Sequence, residues 1–137
     1  MRTPVSFYAR RVHKVVAAVC VIATLGACHQ QPPGPPPVGF RRDVAAIIAK
    51  HCIRCHVPGQ PGTEASGLVL DSYSALMKGT KFGAVVIPGD PLSSTLNVLV
   101  EGRADPSITM PHGKGDRLSA TEIATLRAWV QQGAKDN

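Results

Sequence analysis

Aromatic side chains are scarce in this chain of 137 residues, which has three Phe, two Tyr and one Trp. Only Phe40, Tyr73, Phe82 and Trp129 lie beyond the first 27 residues. A single domain with so few large side chains, and several Gly- and Pro-rich connections, is thinly packed by its own atoms. A large apolar cofactor at its centre would relieve that. Alternating strand patterns are lacking as well, which leaves a mainly α domain with long irregular loops. Long hydrophobic runs are missing: the uncharged, mostly apolar stretch Val15 to Ala27 has 13 residues, short of the ~20 a spanning helix needs. Cysteine is sparse, at four residues.

The short apolar run has a role of its own. Arg2, Arg10, Arg11 and Lys14 precede it without any acidic residue, and small residues end it. That is the layout of a secretory signal over residues 1–27, with a retained short membrane anchor as the alternative. Leu25-Gly26-Ala27-Cys28 resembles the bacterial lipobox, which implies that Cys28 is acylated and begins the mature chain. Ordinary cleavage is the competing outcome. Several acyl chains on one cysteine anchor a protein stably. His29 stands where an aspartate would favour inner-membrane retention, so the expectation is an exported, lipid-anchored protein on the periplasmic or cell-envelope side, with the outer membrane favoured.

The formal net charge of +6 is mostly a property of that signal; without its four basic residues the remainder carries +2. No basic patch with interleaved aromatics follows, which sets nucleic acid aside. Residues 28–39 form a lipidated Cys and Pro-rich linker: HQQPPGPPPVG holds five prolines in eleven positions and reads as an extended spacer. The domain spans residues 40–137.

Four helices are expected within it. Phe40, Val44, Ile47 and Ile48 share one face of the first. Asp71 caps a short second helix through Met77, closed by Gly79. Asp90-Pro91 opens a third, with Leu92, Leu96 and Leu99 as its buried stripe and Gly102 as its stop. The last has a capping box at Ser119 and Glu122, a staple from Leu118 to Ile123, and an apolar face of Ile123, Leu126 and Val130 with Trp129 beside it.

The chemistry is concentrated in KHCIRCHVPG, residues 50–59. C-x-x-C-H is the attachment signature of c-type haem. On a helical turn, residues three and four apart share a face, so Cys52 and Cys55 reach two vinyl groups as thioethers while His56 faces the iron. One covalent haem c consumes both remaining cysteines. A zinc site wants four ligands, and no second Cys pair exists. A redox dithiol expects a βαβ context that is missing. The sixth iron position falls to Met77 or Met110. Met77 sits within a helix as a core residue. Met110 lies in an irregular stretch before Pro111, suited to lean over the open face, and a His/Met pair leaves no vacant coordination site. His112 is a possible competitor, and His51 reads as a partly exposed neighbour. Backbone carbonyls of Pro58 or Pro61 are candidate acceptors for the other His56 ring N–H.

CIRCH, GLVLDSYSALMKG, VIPGDPLSSTL and MPHGKGDRLSATEIATLRAWVQQGA, in that order after Phe40, Val44 and Ile47, resemble the planctomycete-type cytochrome C domains, relatives of class I cytochromes c. The resemblance covers residues 40–134. It implies an all-α domain wrapped around one covalently bound haem, Cys52 and Cys55 as thioether sites, His56 as proximal and Met110 as distal iron ligand. It further implies terminal helices packed across each other beside the haem, with Ile47, Leu126 and Trp129 as contacts.

The functional expectation is a membrane-tethered monohaem cytochrome passing single electrons between redox partner proteins, an electron carrier and not an enzyme. Lys78, Lys81, Lys114 and Arg117 could steer an acidic partner, although a solvated surface explains them as well. A haem peroxidase, a small-molecule reductase or a haem sensor becomes the alternative if Met110 does not ligate the iron.

Overall fold

Residues 34–113 and 117–137 are described in the computed structural model. The expected signal, Cys28 and Lys114 lie outside them. The carbonyl of Gly39 accepts from the amides of Asp43 (3.0 Å) and Val44 (3.3 Å), so the chain enters through a π-helical turn, Phe40–Val44. This tightens into α1, Ala45–His51. Asp43 accepts from the free Gly39 N–H at 2.8 Å, and the hydrogen bond from Arg42 together with this one holds its carboxyl below its ordinary pKa. Phe40, Val44, Ile47 and Ile48 are all buried, on the face that their spacing predicts.

A helix not anticipated from the sequence follows: α2, Pro61–Ser66, with proline in its first turn and Gly67 in the left-handed conformation (φ 77°) closing it. Helix α3, Tyr73–Lys78, begins one residue later than expected, because Ser72 and not Asp71 is its cap. The Ser72 hydroxyl accepts from the Ala75 amide (3.2 Å) and donates to Asp71 (3.0 Å).

The Asp90-Pro91 signal is real but caps only one turn, its carboxylate accepting from the amides of Leu92 and Ser93. The helix proper, α4, Thr95–Val100, starts after Ser94. Leu92 is therefore 61% exposed instead of buried, and the inward face is Leu96, Asn97 and Val100. A 3-10 turn, Pro106–Ile108, is capped by Asp105. Helix α5, Ala120–Gln131, has the expected capping box from Ser119 and Glu122.

The π-turn packs against α5, and so does α4. Trp129 stands at the centre and not beside the apolar face: it is 1% exposed and meets Phe40 at 5.6 Å between ring centroids, while Phe40 meets Tyr73 edge-on at 5.2 Å. Three hydrogen bonds fold the C-terminal tail over this trio. Trp129 Nε1 donates to Lys135 O, Tyr73 Oη to Ala134 O, and the Phe40 amide to Asn137 Oδ1. Gln132 ties down the end of the proline stretch, accepting from Val38 N and donating to Pro36 O.

Among the described residues the only extended pairing is an isolated bridge between Thr80 and Gly83. The architecture is all-α with long connections. No helix among the described residues is long and apolar enough to cross a membrane.

Candidate functional site

Helix α1 does not stop cleanly at His51. The carbonyl of Ile48 accepts from Cys52 N (2.8 Å) and Ile53 N (3.3 Å), and the carbonyl of Cys52 then accepts from Cys55 N (3.1 Å) and His56 N (3.0 Å). The C-x-x-C-H segment is therefore a tight turn continuing the helix. Its far side is fastened by Thr63 N to Cys55 O (3.1 Å) and Leu70 N to His56 O (2.7 Å). Both bonds come from the segment that includes α2, so the unanticipated helix is the clamp on this turn.

Helix α2 comes very close. A Cβ on Gly62 would stand 2.6 Å from Cys55 O, 2.9 Å from His56 Cε1 and 3.0 Å from His56 Nε2. Only glycine leaves the imidazole its room. His56 is buried, and its Nδ1 has no hydrogen-bond partner. Burial lowers its pKa; the nearby Leu68 backbone opposes the shift and the charge of His112 adds to it. The neutral ring, the form that binds a metal, is favoured. Leu68, and not Pro58 or Pro61, is thus the backbone group beside the ring.

The two cysteines differ. Cys52 packs against the core, and burial pushes its thiol up to about 11; Cys55 is exposed. Both are free thiols. A half-buried, high-pKa thiol is a poor redox nucleophile, which speaks against the dithiol reading. Among the described residues no group of three or more His, Cys, Asp or Glu is placed to hold a metal ion.

The Met110 loop approaches from α4. Met110 N donates to Leu99 O at 3.2 Å, and the side chain is half-buried against the core. Asp105 fixes the loop's start by accepting from Ser107 N (2.8 Å) and Ser107 Oγ (2.6 Å). Met77 also packs on the core, from α3. His112 is exposed, and its charge reaches His56. The Met110–His112 stretch and the C-x-x-C-H turn, over fifty residues apart in sequence, are thus near enough for a charge on His112 to lower the His56 pKa slightly.

His51 is placed differently from the expectation. Its side chain is buried, with Nε2 3.1 Å from Glu122 Oε1, and Lys50 Nζ reaches the same oxygen at 3.0 Å. Glu122 Oε2 meanwhile accepts from Ser119 N and Oγ. One carboxylate therefore joins the start of α5 to the last turn before Cys52. The capping box was visible in sequence; its second use was not, because it depends on the end of α1 reaching the start of α5. Asn97 was also missed: it is fully buried, and neither side-chain polar atom has a partner.

These residues fit a covalently held haem. Two reduced cysteines lie three apart on one turn, and a buried imidazole has its edge kept clear by a glycine that tolerates no Cβ. The chain matches no curated protein and no solved structure. Residues 52–112, from the first cysteine of the turn to the histidine beyond Met110, match the family model described as Planctomycete cytochrome C.

Proposed function

We propose that the protein is a membrane-tethered, monohaem c-type cytochrome that passes single electrons between redox partner proteins. The observation that carries this reading is the extent of the family match, which takes in Cys52, Cys55, His56 and Met110 together. Bound there, the haem supplies reversible Fe(III)/Fe(II) chemistry.

The chain's own residues do the rest. Cys52 and Cys55 hold the group as thioethers, so an exported protein cannot lose it. His56 presents Nε2 as the proximal ligand, held by the backbone bonds of its turn. Met110 would supply its sulfur as the second protein ligand, and an iron held by two protein ligands would favour electron transfer over substrate chemistry. Lys78, Lys81 and Arg117 are exposed and available to an acidic partner. Cys28, acylated, would anchor the domain through the proline spacer on the periplasmic or cell-envelope side, preferably at the outer membrane.

A second reading, a haem enzyme or sensor, draws on the charge of His112 reaching His56. Absorption spectra of the protein produced with a haem-maturation system separate the two. Electron transfer expects covalent c-type bands and a weak long-wavelength ferric band, lost in Met110→Ala. Loss of a sixth ligand in His112→Ala, with Met110→Ala unchanged, would move the function to the enzyme or sensor. Release of Cys28→Ala from the membrane fraction tests the tether.

A further inference from the structure

Four polar residues are buried among the described ones: His56, Ser94, Asn97 and Thr109. Two are accounted for within the chain. Ser94 Oγ accepts from Ile87 N at 2.8 Å and donates to Asp90 O at 2.7 Å, and Thr109 Oγ1 donates to Asp105 O at 3.2 Å. The other two keep polar atoms without partners: His56 Nδ1, and both Nδ2 and Oδ1 of Asn97. A buried amide left unpaired has lost its hydration with no bond in return, so such groups are rare in native proteins and point to a partner. One orphan belongs to the residue expected on the proximal side of the iron. The other is on α4, two residues from Leu99, whose carbonyl holds the backbone of Met110.

We propose that Asn97 is a positioning residue for the distal ligand: its Nδ2 donates a hydrogen bond to the Met110 sulfur when that sulfur is held at the iron. The inference rests on Met110 being the distal ligand. Three features support it. Asn97 is 0% exposed, so bulk water cannot serve as its partner. It lies on the inward face of the helix that anchors Met110, whose side chain packs into the same core. Leucine, which has the same branched arrangement of side-chain heavy atoms as asparagine, would fill an α4 position beside Leu96 and Val100 without leaving polar atoms to satisfy, so packing alone does not explain an amide there.

A donor on the sulfur draws electron density away from it and weakens its support of ferric iron more than of ferrous iron. Hydrogen bonding of this kind is one of the protein's levers on a haem potential. Asn97 would therefore raise the midpoint potential and set the position of the ferric iron–methionine band.

The test compares the wild type with Asn97→Leu and Asn97→Thr, each haem-loaded and as the haem-free chain. In the loaded protein, Asn97→Leu lowers the midpoint potential and shifts the long-wavelength ferric band, while Asn97→Thr, which keeps a hydroxyl donor, recovers part of both. In the haem-free chain, Asn97→Leu raises the denaturation midpoint, because the unpaired amide is gone.

Unchanged potential and band in loaded Asn97→Leu would overturn the proposal, as would a fall in stability of the haem-free variant, which would give the amide a partner within the chain or in a buried water. A wild type that lacks the ferric band would overturn Met110 ligation itself, and Asn97's role with it. The wild-type spectrum therefore separates failure of the underlying reading from failure of the Asn97 assignment alone.

Discussion

The two thiols of the C-x-x-C-H turn sit in different environments three residues apart, and their chemistry in the haem-free chain should show it. Cys52 is half-buried against the core, with its pKa pushed up to about 11, whereas Cys55 is exposed. Thiolate, not thiol, is the nucleophile, and access differs in the same direction. Alkylation at neutral pH followed by peptide mass spectrometry should modify Cys55 at least tenfold faster than Cys52. Equal rates would mean that the turn is open in the haem-free chain. Gly62 makes the neighbouring prediction. In Gly62→Ala the new methyl meets Cys55 O at 2.6 Å and the imidazole edge at 2.9 Å, so α2 or His56 must move. Overpacking of this kind costs ~1–3 kcal/mol. The variant should lose both stability, measured by denaturant titration, and yield of covalent haem, measured by haem stain.

At the scale of the element, Glu122 joins α5 to α1, and its titration is a readout of that junction. The Ser119 backbone N–H is the main cause holding its carboxyl below the ordinary range, with Lys50, His51 and the Ser119 hydroxyl adding to it. A carboxylate depressed in the folded state gives stability that is complete above its unfolded pKa of about 4.3 and is lost as pH falls toward the native value. Wild-type denaturation midpoints should therefore drop below about pH 4.3 more steeply than those of Glu122→Gln. At pH 7 the variant should be less stable than the wild type, because the reciprocal cap bond to the Ser119 backbone is weakened. Parallel pH profiles would mean that the carboxylate is not what binds these elements.

The same helices show what the sequence discloses and what it withholds. Helix α5 was legible because its code is local: Ser119, Glu122 and the apolar repeat lie within one segment. Helix α4 was misplaced because Asp90-Pro91 is an equally valid signal for a single turn, and the deciding fact is tertiary, namely that the Ser94 hydroxyl is turned inward to Ile87 and Asp90. Helix α2 escaped notice because its six residues, PGTEAS, bury no side chain and so carry no periodicity. Cys52, Cys55, His56 and Met110 were nominated by residue type and spacing. The roles of Gly62 and Leu68 needed coordinates, since each depends on backbone approaching a ring from another element.

Over the whole molecule, stability is a matter of tertiary burial. Among the described residues no α-helix apart from α5, with twelve residues, exceeds seven, and helices that short are marginal in water by themselves. What holds them is the trio of Phe40, Tyr73 and Trp129, closed over by residues 134–137. Truncating a buried Trp costs about 3–5 kcal/mol, a large share of the ~5–15 kcal/mol that a domain has in total. Trp129→Ala should thus leave the haem-free chain largely unfolded by far-UV circular dichroism at 25 °C, while the haem-loaded variant, with a large apolar group sharing the core, keeps its helices and melts at a lower temperature than the wild type. Arg41→Ala removes only the exposed pair with Asp136 at 3.1 Å and should shift stability by less than about 1 kcal/mol. If Trp129→Ala proved equally harmful with and without haem, the cofactor would add nothing to the core, and the scarcity of aromatic residues would need another explanation.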